Sequence, residues 1–161
     1  MVNLNELIQE MIVLLNDKAN ERSISIRTEL DVKPPIIPAD RVQLQQVLLN
    51  LMLNGIEAMK DTGGELKVIS SQTEDGQFVV SLIDSGIGLP VDNLERVFDP
   101  FFTTKPQGTG MGLSISRRII ESHGGRLWAT ANSDRGATFH FTLSTEEDSA
   151  KMSSNRGSSP Q

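Results

Sequence analysis

Hydrophobic residues recur along the first half of the chain at spacings that switch between those of helices and those of strands. Residues 3–20 carry apolar side chains at helical spacing, and residues 23–30 alternate as in a strand. Residues 31–38, DVKPPIIP, predict a turn-rich connector because prolines interrupt them. The next apolar run, over about 40–60, predicts a long helix that the glycines of TGG, 62–64, bring to an end.

The start of that long helix and the elements after it also follow from local signals. Asp40 is a good N-cap, and Gln43 three residues later completes a capping-box pattern. Further along, the sequence predicts strands at 65–73 and 77–84 joined as a hairpin, a short helix at 91–98, a helix at 112–122, and strands at 125–133 and 136–144.

This order of elements predicts an α+β fold, a two-layer α/β sandwich in which three helices cover one face of a mixed sheet. Residues 1–144 are expected to form a single domain. Residues 145–161 are polar and poor in apolar side chains, so we expect a disordered tail.

Composition excludes several classes of function. The net charge of −6 over 161 residues argues against binding to nucleic acid or to an anionic membrane. The absence of cysteine excludes disulfides, thiol catalysis and Cys-ligated zinc. No apolar run reaches the roughly 20 residues of a membrane span, and no signal peptide is present, so a cytoplasmic location is expected, although a full-length protein could carry a membrane anchor elsewhere.

The long helix carries a polar stripe within an otherwise apolar surface. The stripe consists of Gln43, Gln46, Asn50, Asn54, Glu57 and Asp61. At 100° per residue these side chains share one face, which either faces solvent or faces a bound polar ligand. In the second case the carboxamide oxygens of Asn50 and Asn54, one turn apart, can approach one Mg²⁺ ion, which prefers oxygen ligands.

A first glycine cluster, IDSGIGLP at 83–90, lies at the end of a predicted strand. The carboxylate of Asp84 can accept a hydrogen bond from an exocyclic amino group such as that of adenine. Gly86 and Gly88 lack Cβ atoms, so a flat ligand can lie against their backbone. An ordinary glycine turn explains the same letters.

A second cluster, GTGMGLS at 108–114, leads directly into a helix. Its glycines, Gly108, Gly110 and Gly112, leave backbone N–H groups accessible, and a helix N-terminus favours phosphate. Lys105 can add a positive charge. The spacing is neither that of a Walker loop nor that of a dinucleotide fingerprint, and a flexible loop without phosphate remains the alternative.

The stretch before this cluster is rich in phenylalanine. Phe98, Phe101 and Phe102 are expected to anchor the base of the loop in the core. Residues 103–111 would then close over a ligand as a lid.

Together these stretches resemble the ATP-binding domains of sensor histidine kinases. NLMLNGIEAM resembles the N box, DSGIGLP the G1 box, FDPFFTTK the F box, GTGMGLS the G2 box and GATFHFTL the closing strand of that family. The resemblance spans roughly residues 3–144. In detail, the sequence is similar to nitrogen- and oxygen-sensing kinases. It implies the Bergerat fold shared with gyrase B, Hsp90 and MutL.

The resemblance also implies roles for individual residues. ATP and Mg²⁺ would be bound, with Asn54 as the metal ligand and Asn50 beside it. Asp84 would read the adenine amino group with help from Thr138 through water, and Gly86 and Gly88 would shape the adenine pocket. The phosphates would be held by Lys105, Gly108, Thr109, Gly110, Gly112 and Leu113.

A phosphoacceptor is missing from the sequence. Such kinases phosphorylate a histidine on a separate dimerisation hairpin, where an acidic residue follows the histidine. His123 and His140 do not match that pattern and are interpreted as structural. The resemblance therefore implies a hairpin partner outside this chain, a downstream response regulator and a monomeric isolated domain.

Two other functions stay open at this point. A regulator of the same fold without kinase activity, similar to an anti-sigma factor, would need no hairpin. A gyrase-like ATPase is disfavoured because Asn50 stands where those relatives carry a glutamate base, and an amide is not a general base near neutral pH. Glu57 lies on the same helix face, and we expect it to have a positioning or solvent role.

Overall fold

A five-stranded mixed sheet organises the chain in the computed structural model, which describes residues 1–31, 33, 36–89, 91–100 and 112–144. The elements are β1 (Val2–Asn3), α1 (Leu4–Glu21), β2 (Ile24–Glu29), β3 (Ile36–Ile37), α2 (Arg41–Ala58), β4 (Gly64–Gln72), β5 (Gln77–Ile83), a 3-10 helix (Val91–Phe98), α3 (Gly112–Ser122), β6 (Arg126–Ala131) and β7 (Ala137–Ser144). The large sheet has the order β2-β4-β5-β7-β6, with β2 parallel to β4 and the remaining neighbours antiparallel.

One face of this sheet is buried and the other is partly open, as the alternation of residue types predicts. Alternate side chains of the central strands are almost fully covered, among them Phe78, Val80 and Leu82 of β5. The three helices lie on this face: α1 packs on β2, α2 on β4 and β5, and α3 on β6 and β7. The predicted α+β sandwich is therefore confirmed.

Helix α2, which carries the polar stripe, begins where its cap predicts. The side chain of Asp40 accepts a hydrogen bond from the Gln43 N–H at 3.0 Å. The helix ends at Ala58, two residues earlier than expected. After it, Gly63 adopts a φ of +67° and donates to the Met59 carbonyl at 2.8 Å.

The connector predicted as turns contains a short strand. Ile36 and Ile37 of β3 pair antiparallel with Asn3 and Val2 of β1. Both Ile37 and Val2 are buried and belong to the hydrophobic core. Two-residue strands are too short to display periodicity, which is why the sequence predicted neither of them.

The segment preceding the predicted lid is anchored in the core as expected for Phe98. This residue ends the 3-10 helix, is 4% exposed and makes an edge-to-face contact with Phe139. Arg117 of α3 places its guanidinium 4.7 Å from the Phe98 ring centroid and forms an ion pair with Glu95 at 2.9 Å. The two elements that flank residues 101–111 are thereby held together. Phe101 and Phe102 lie outside the described residues.

Candidate functional site

A buried aspartate lies at the end of β5. Asp84 is 4% exposed, and its Oδ1 accepts hydrogen bonds from the backbone N–H groups of Gly86 at 3.0 Å and Ala137 at 3.2 Å. Its own N–H donates to the Ala137 carbonyl at 3.0 Å. Both hydrogen bonds that the carboxylate accepts from described residues fall on Oδ1.

Burial and hydrogen bonding act in opposite directions on the charge of this carboxylate. Burial raises the pKa of Asp84 above its usual value, and the hydrogen bonds from Gly86 and Ala137 oppose that shift. In the part of the chain that the structure describes, Asp84 forms no ion pair. A buried acid without a cationic partner costs stability, and such groups are concentrated at binding sites.

The glycines around Asp84 are required by close backbone contacts. A Cβ at Gly86 would collide with the Ala58 carbonyl at the end of α2, so only glycine lets the turn reach the helix. Gly88 has a φ of +82°, a conformation that glycine adopts at little cost. Gly136 has a φ of +92°, and a Cβ there would collide with the Asp84 carbonyl.

Sequence reasoning missed the loop between β6 and β7, which packs against this turn. The Asn132 side chain donates to the Asp84 carbonyl at 2.8 Å, and Arg135 Nε donates to the Gly86 carbonyl at 3.1 Å. Gly136, whose contact with Asp84 is described above, belongs to the same loop. Locally these residues read as turn formers, so the sequence held no signal for their contact with a turn some 48 positions away.

The register between β5 and β7 determines where Thr138 lies relative to Asp84. In the β5–β7 ladder Ile83 pairs with Thr138, which places Ala137 beside Asp84. Because successive strand residues point to opposite faces, Asp84 and Ala137 share the face under the helices and Thr138 lies on the other. There its hydroxyl donates to Asn132 Oδ1. The adenine contact of Thr138 through water stays a prediction.

At the other end of the site, helix α2 contacts the beginning of α3. Asn50 Nδ2 donates to the Gly112 carbonyl at 3.4 Å and to Ser116 Oγ at 3.3 Å. Ser116 is fully buried and its hydroxyl also donates to the Gly112 carbonyl, at 2.8 Å. These bonds tie the Asn50 amide nitrogen to the first turn of α3. The first turn of α3 and the polar stripe of α2 therefore meet.

The middle of the stripe lies between these two ends. Asn54 is half-buried, one turn after Asn50, and its neighbour Gly55 packs so close to β4 that a Cβ would lie 2.9 Å from Leu66. The same Cβ would lie 3.7 Å from Asp84 Cβ, so the helix segment with Asn54 is next to the aspartate. Carboxamide oxygens on this face fit a hard divalent cation such as Mg²⁺. Within the described ranges, no three His, Cys, Asp or Glu side chains form a metal cluster.

Glu57, the last acidic candidate on the helix, is held by two cations. Its carboxylate forms ion pairs with Arg22 at 3.1 Å and with Lys60 at 3.2 Å. These contacts join the ends of α1 and α2. The positioning or solvent role expected for Glu57 stays a prediction.

The histidines are both engaged within the fold. Nε2 of His123 accepts from the Asp40 N–H at 3.1 Å, which ties the end of α3 to the cap of α2. His140 lies between the hydroxyls of Ser81 and Thr130, each 2.9 Å from a ring nitrogen, and stacks on Trp128. Burial lowers the pKa of His140. These contacts agree with the structural roles expected for both residues.

The residues expected to contact phosphate lie partly inside and partly outside the described part of the chain. Gly112 begins α3, and Leu113 packs against the core. Lys105, Gly108, Thr109 and Gly110 lie outside the described residues, as does the lid at 103–111.

In the described ranges, no helix is both long and apolar enough to cross a bilayer.

Comparison with known proteins identifies the family and the fold. A family model described as histidine kinase-, DNA gyrase B- and HSP90-like ATPase matches residues 39–147. The chain belongs to this family. Its fold is the Bergerat fold expected from the sequence motifs, and within the family it is a sensor histidine kinase catalytic domain.

Individual relatives agree with that placement. The chain is 44% identical over 147 residues to the sensor protein FixL of Bradyrhizobium diazoefficiens, a match that covers 91% of this chain and 29% of FixL. It is similar to the solved catalytic domain of the histidine kinase ThkA, with 42% identity, a TM-score of 0.80 and coverage of 89% of this chain and 93% of that domain. The chain thus spans under a third of FixL and nearly all of the ThkA domain.

Two larger solved structures contain a similar domain. Full-length ShkA in complex with AMPPNP gives a TM-score of 0.80 at 29% identity, over 89% of this chain and 30% of ShkA. ThkA in complex with the response regulator protein TrrA gives a TM-score of 0.78 at 38% identity, over 91% of this chain and 42% of ThkA.

Proposed function

We propose that this domain binds ATP with Mg²⁺ and transfers the γ-phosphoryl group to a histidine on a separate dimerisation hairpin. The observation that carries the proposal is Asp84, a buried carboxylate whose Oδ1 is held by two backbone amides. An acceptor fixed in this way can recognise the amino group of adenine. The domain of residues 1–144 would be the phosphoryl-donor part of a two-component sensor kinase located in the cytoplasm.

At the base end of the site, adenine would lie against the turn of Gly86 and Gly88. Its exocyclic N–H would donate to Asp84, and such charge-assisted bonds are stronger than neutral ones. Support comes from full-length ShkA, a similar protein solved with the ATP analogue AMPPNP.

At the phosphate end, the first turn of α3 would supply backbone N–H groups. The unpaired donors and the dipole of a helix N-terminus favour phosphate, and Gly112 begins this helix. Lys105, Gly108, Thr109 and Gly110 remain proposed phosphate contacts, and Leu113 would contribute its backbone. From Asn50 to Ala58 helix α2 covers roughly 12 Å, so one helix can span both ends of a nucleotide.

The residues present fit a magnesium ion. Asn54 is the proposed ligand, and Asn50, whose amide nitrogen is bonded to α3, would offer its oxygen beside it. When bound, Mg²⁺ would neutralise charge on the phosphates and orient them. The chain's own contribution is then to align the terminal phosphate with an incoming imidazole and to limit its exposure to water.

Transfer to a histidine is favoured over rapid ATP hydrolysis because, among the described residues, the polar stripe of α2 offers no suitable general base to activate water. Asn50 is an amide and cannot take a proton from water. Glu57 is paired with Arg22 and Lys60. We therefore expect slow ATP hydrolysis by the isolated domain.

The deciding experiment supplies the missing acceptor. A cognate hairpin fragment is mixed with the domain and ATP labelled at the γ-phosphate, and acid-labile phosphate is measured on the hairpin. Label on the hairpin, lost when its histidine is replaced by alanine, supports the proposal. ATP binding without any transfer would favour a regulatory module similar to an anti-sigma factor. Rapid phosphate release without a hairpin would favour a gyrase-like ATPase.

The downstream partner is proposed from the same comparisons. ThkA, a similar kinase, has been solved with the response regulator protein TrrA. A response regulator is accordingly the expected recipient of the phosphoryl group from the hairpin histidine.

A further inference from the structure

We propose that Asn132 is a positioning residue for base recognition, which it serves by fixing the backbone of the turn that carries Asp84. The inference rests on the proposed function, because it concerns the same adenine site. It adds a residue from the β6–β7 loop to a site otherwise built from α2, the β5 turn and the start of α3.

The Asn132 carboxamide uses both of its polar atoms. Nδ2 donates to the Asp84 carbonyl at 2.8 Å and to the Arg135 carbonyl at 3.1 Å, while Oδ1 accepts from the Thr138 hydroxyl. Backbone carbonyls only accept hydrogen bonds, so the amide nitrogen must face them and the orientation of the group is determined. Asn132 therefore joins the loop, the beginning of β7 and the Asp84 turn.

If Asn132 only stabilised its own loop, its bond to the Asp84 carbonyl would not be needed. Asparagine commonly stabilises its own turn, as the bond to the Arg135 carbonyl does here. The shorter bond instead reaches Asp84, on another strand. It fixes the Asp84 carbonyl, whereas the Ala137 carbonyl fixes the Asp84 N–H through a bond of 3.0 Å, so both peptide groups next to the Asp84 Cα are held.

The rest of the loop contributes to the same contact. Arg135 Nε donates to the Gly86 carbonyl at 3.1 Å, so the turn is held on both sides of Ser85. Gly136 lies so close to Asp84 that no Cβ could be accommodated. Because the turn is packed in this way, a small rotation of the Asp84 backbone would change the direction of Oδ2. That direction decides whether the carboxylate can accept from the adenine amino group, and so whether the site distinguishes adenine from a base with hydrogen at that position.

The test compares two ligands that differ only at that amino group: ATP and purine riboside 5′-triphosphate, which lacks it. Dissociation constants are measured by calorimetry with Mg²⁺ for the wild type, Asn132→Ala and Asn132→Asp. Asp134→Asn is the matched control, because Asp134 is exposed in the same loop. Asp84→Ala defines the ratio expected when the amino group is no longer read.

For Asn132→Ala we expect the ATP dissociation constant to rise about three- to tenfold, in line with the loss of one hydrogen bond. The constant for purine riboside triphosphate should change less than twofold, so the preference for ATP falls. Asn132→Asp, which keeps the shape but loses the donor, should lower the preference at least as much. Asp134→Asn should retain the wild-type ratio.

A ligand-free measurement accompanies the titrations. In Asn132→Ala, hydrogen exchange at the Gly86 and Ala137 amides should accelerate, because both donate to the Asp84 carboxylate. The Val80 amide in the middle of β5 should remain protected. If Asn132→Ala does not fold, the same measurements on Asn132→Asp decide the question.

The result that overturns the inference is an unchanged preference for ATP in both Asn132 variants, whether the two affinities fall together or not at all. Asn132 would then only stabilise its loop. Failure of the proposed function looks different: the wild type itself would show no preference for ATP, and Asp84→Ala would change nothing.

Discussion

Replacing Asp84 with asparagine should weaken ATP binding and leave the fold as stable as before, or more so, at neutral pH. The Gly86 and Ala137 amides need an acceptor, so the asparagine oxygen takes the place of Oδ1. Its NH₂ group must then take the place of Oδ2. A donor would face the donor of the adenine amino group, and the charge would be lost.

The size of the effect on binding follows from that exchange. A hydrogen bond to a charged group contributes about 1.5–3 kcal/mol. At about 1.4 kcal/mol per factor of ten, the ATP dissociation constant should rise by one to two orders of magnitude. Asp84→Ala should do the same, but it also leaves the two backbone amides without their acceptor and is therefore expected to destabilise the fold.

The effect on stability has a definite sign with pH. Burial raises the pKa of Asp84 in the folded protein above the 3.8 of the free group. The protonated form of Asp84 therefore stabilises the folded protein. This stabilisation is complete below the pKa of the free group, 3.8, and is lost as the pH rises through the folded pKa. Asparagine does not titrate, so the variant should gain stability relative to the wild type from about pH 4 upward and keep the gain at neutral pH.

Two measurements check this prediction. Calorimetric titration with ATP and Mg²⁺ gives the affinity, and urea unfolding of the ligand-free proteins between about pH 4 and pH 8 gives the free energy of unfolding. ATP affinity within twofold of the wild type would refute the placement of the base. A variant less stable than the wild type by more than about 1 kcal/mol at neutral pH would refute the account of the buried charge.

Three further predictions concern other parts of the fold. Gly136→Ala should lower the free energy of unfolding in urea by more than about 2 kcal/mol. Gly124→Ala, also at positive φ but with no atom within 4 Å of its Cβ, should lower it by about 1 kcal/mol; equal losses would contradict the contact of Gly136 with Asp84. Because burial lowers the pKa of His140, wild-type stability should fall as the pH drops below about 6.5, and His140→Gln should flatten that slope; a parallel slope would argue against it. Glu57→Ala should leave the slow phosphate release by the isolated domain unchanged; a loss of turnover would make Glu57 the base.

Much of the fold was predictable because its signals are local. The cap at Asp40, the bounds of α3 and both antiparallel strand pairs lie where periodicity and turn residues predict them. The β1–β3 pair was not predictable, since two residues carry no period. Helix α2 ends two residues early because Met59 already leaves the helical conformation and the following residues form turns.

The site divides in the same way. Asp84, Gly86 and Asn50 could be proposed as site residues because each belongs to a short motif with a chemical meaning. Thr138 also belongs to such a motif, but its orientation depends on strand register, which the motif does not contain. Asn132 acts on a turn distant in sequence, and a loop asparagine between two strands gives no indication of a contact across the sheet.

The central claim, that α2, the Asp84 turn and the start of α3 form one nucleotide site, is tested most directly by residue-resolved NMR. The labelled domain is titrated with a non-hydrolysable ATP analogue and Mg²⁺, and backbone amide shifts are followed. The account predicts saturable shifts with a single dissociation constant at Asn54, Gly86, Gly112 and Ala137. Shifts that are confined to one of these elements, or that saturate at different concentrations, would contradict it.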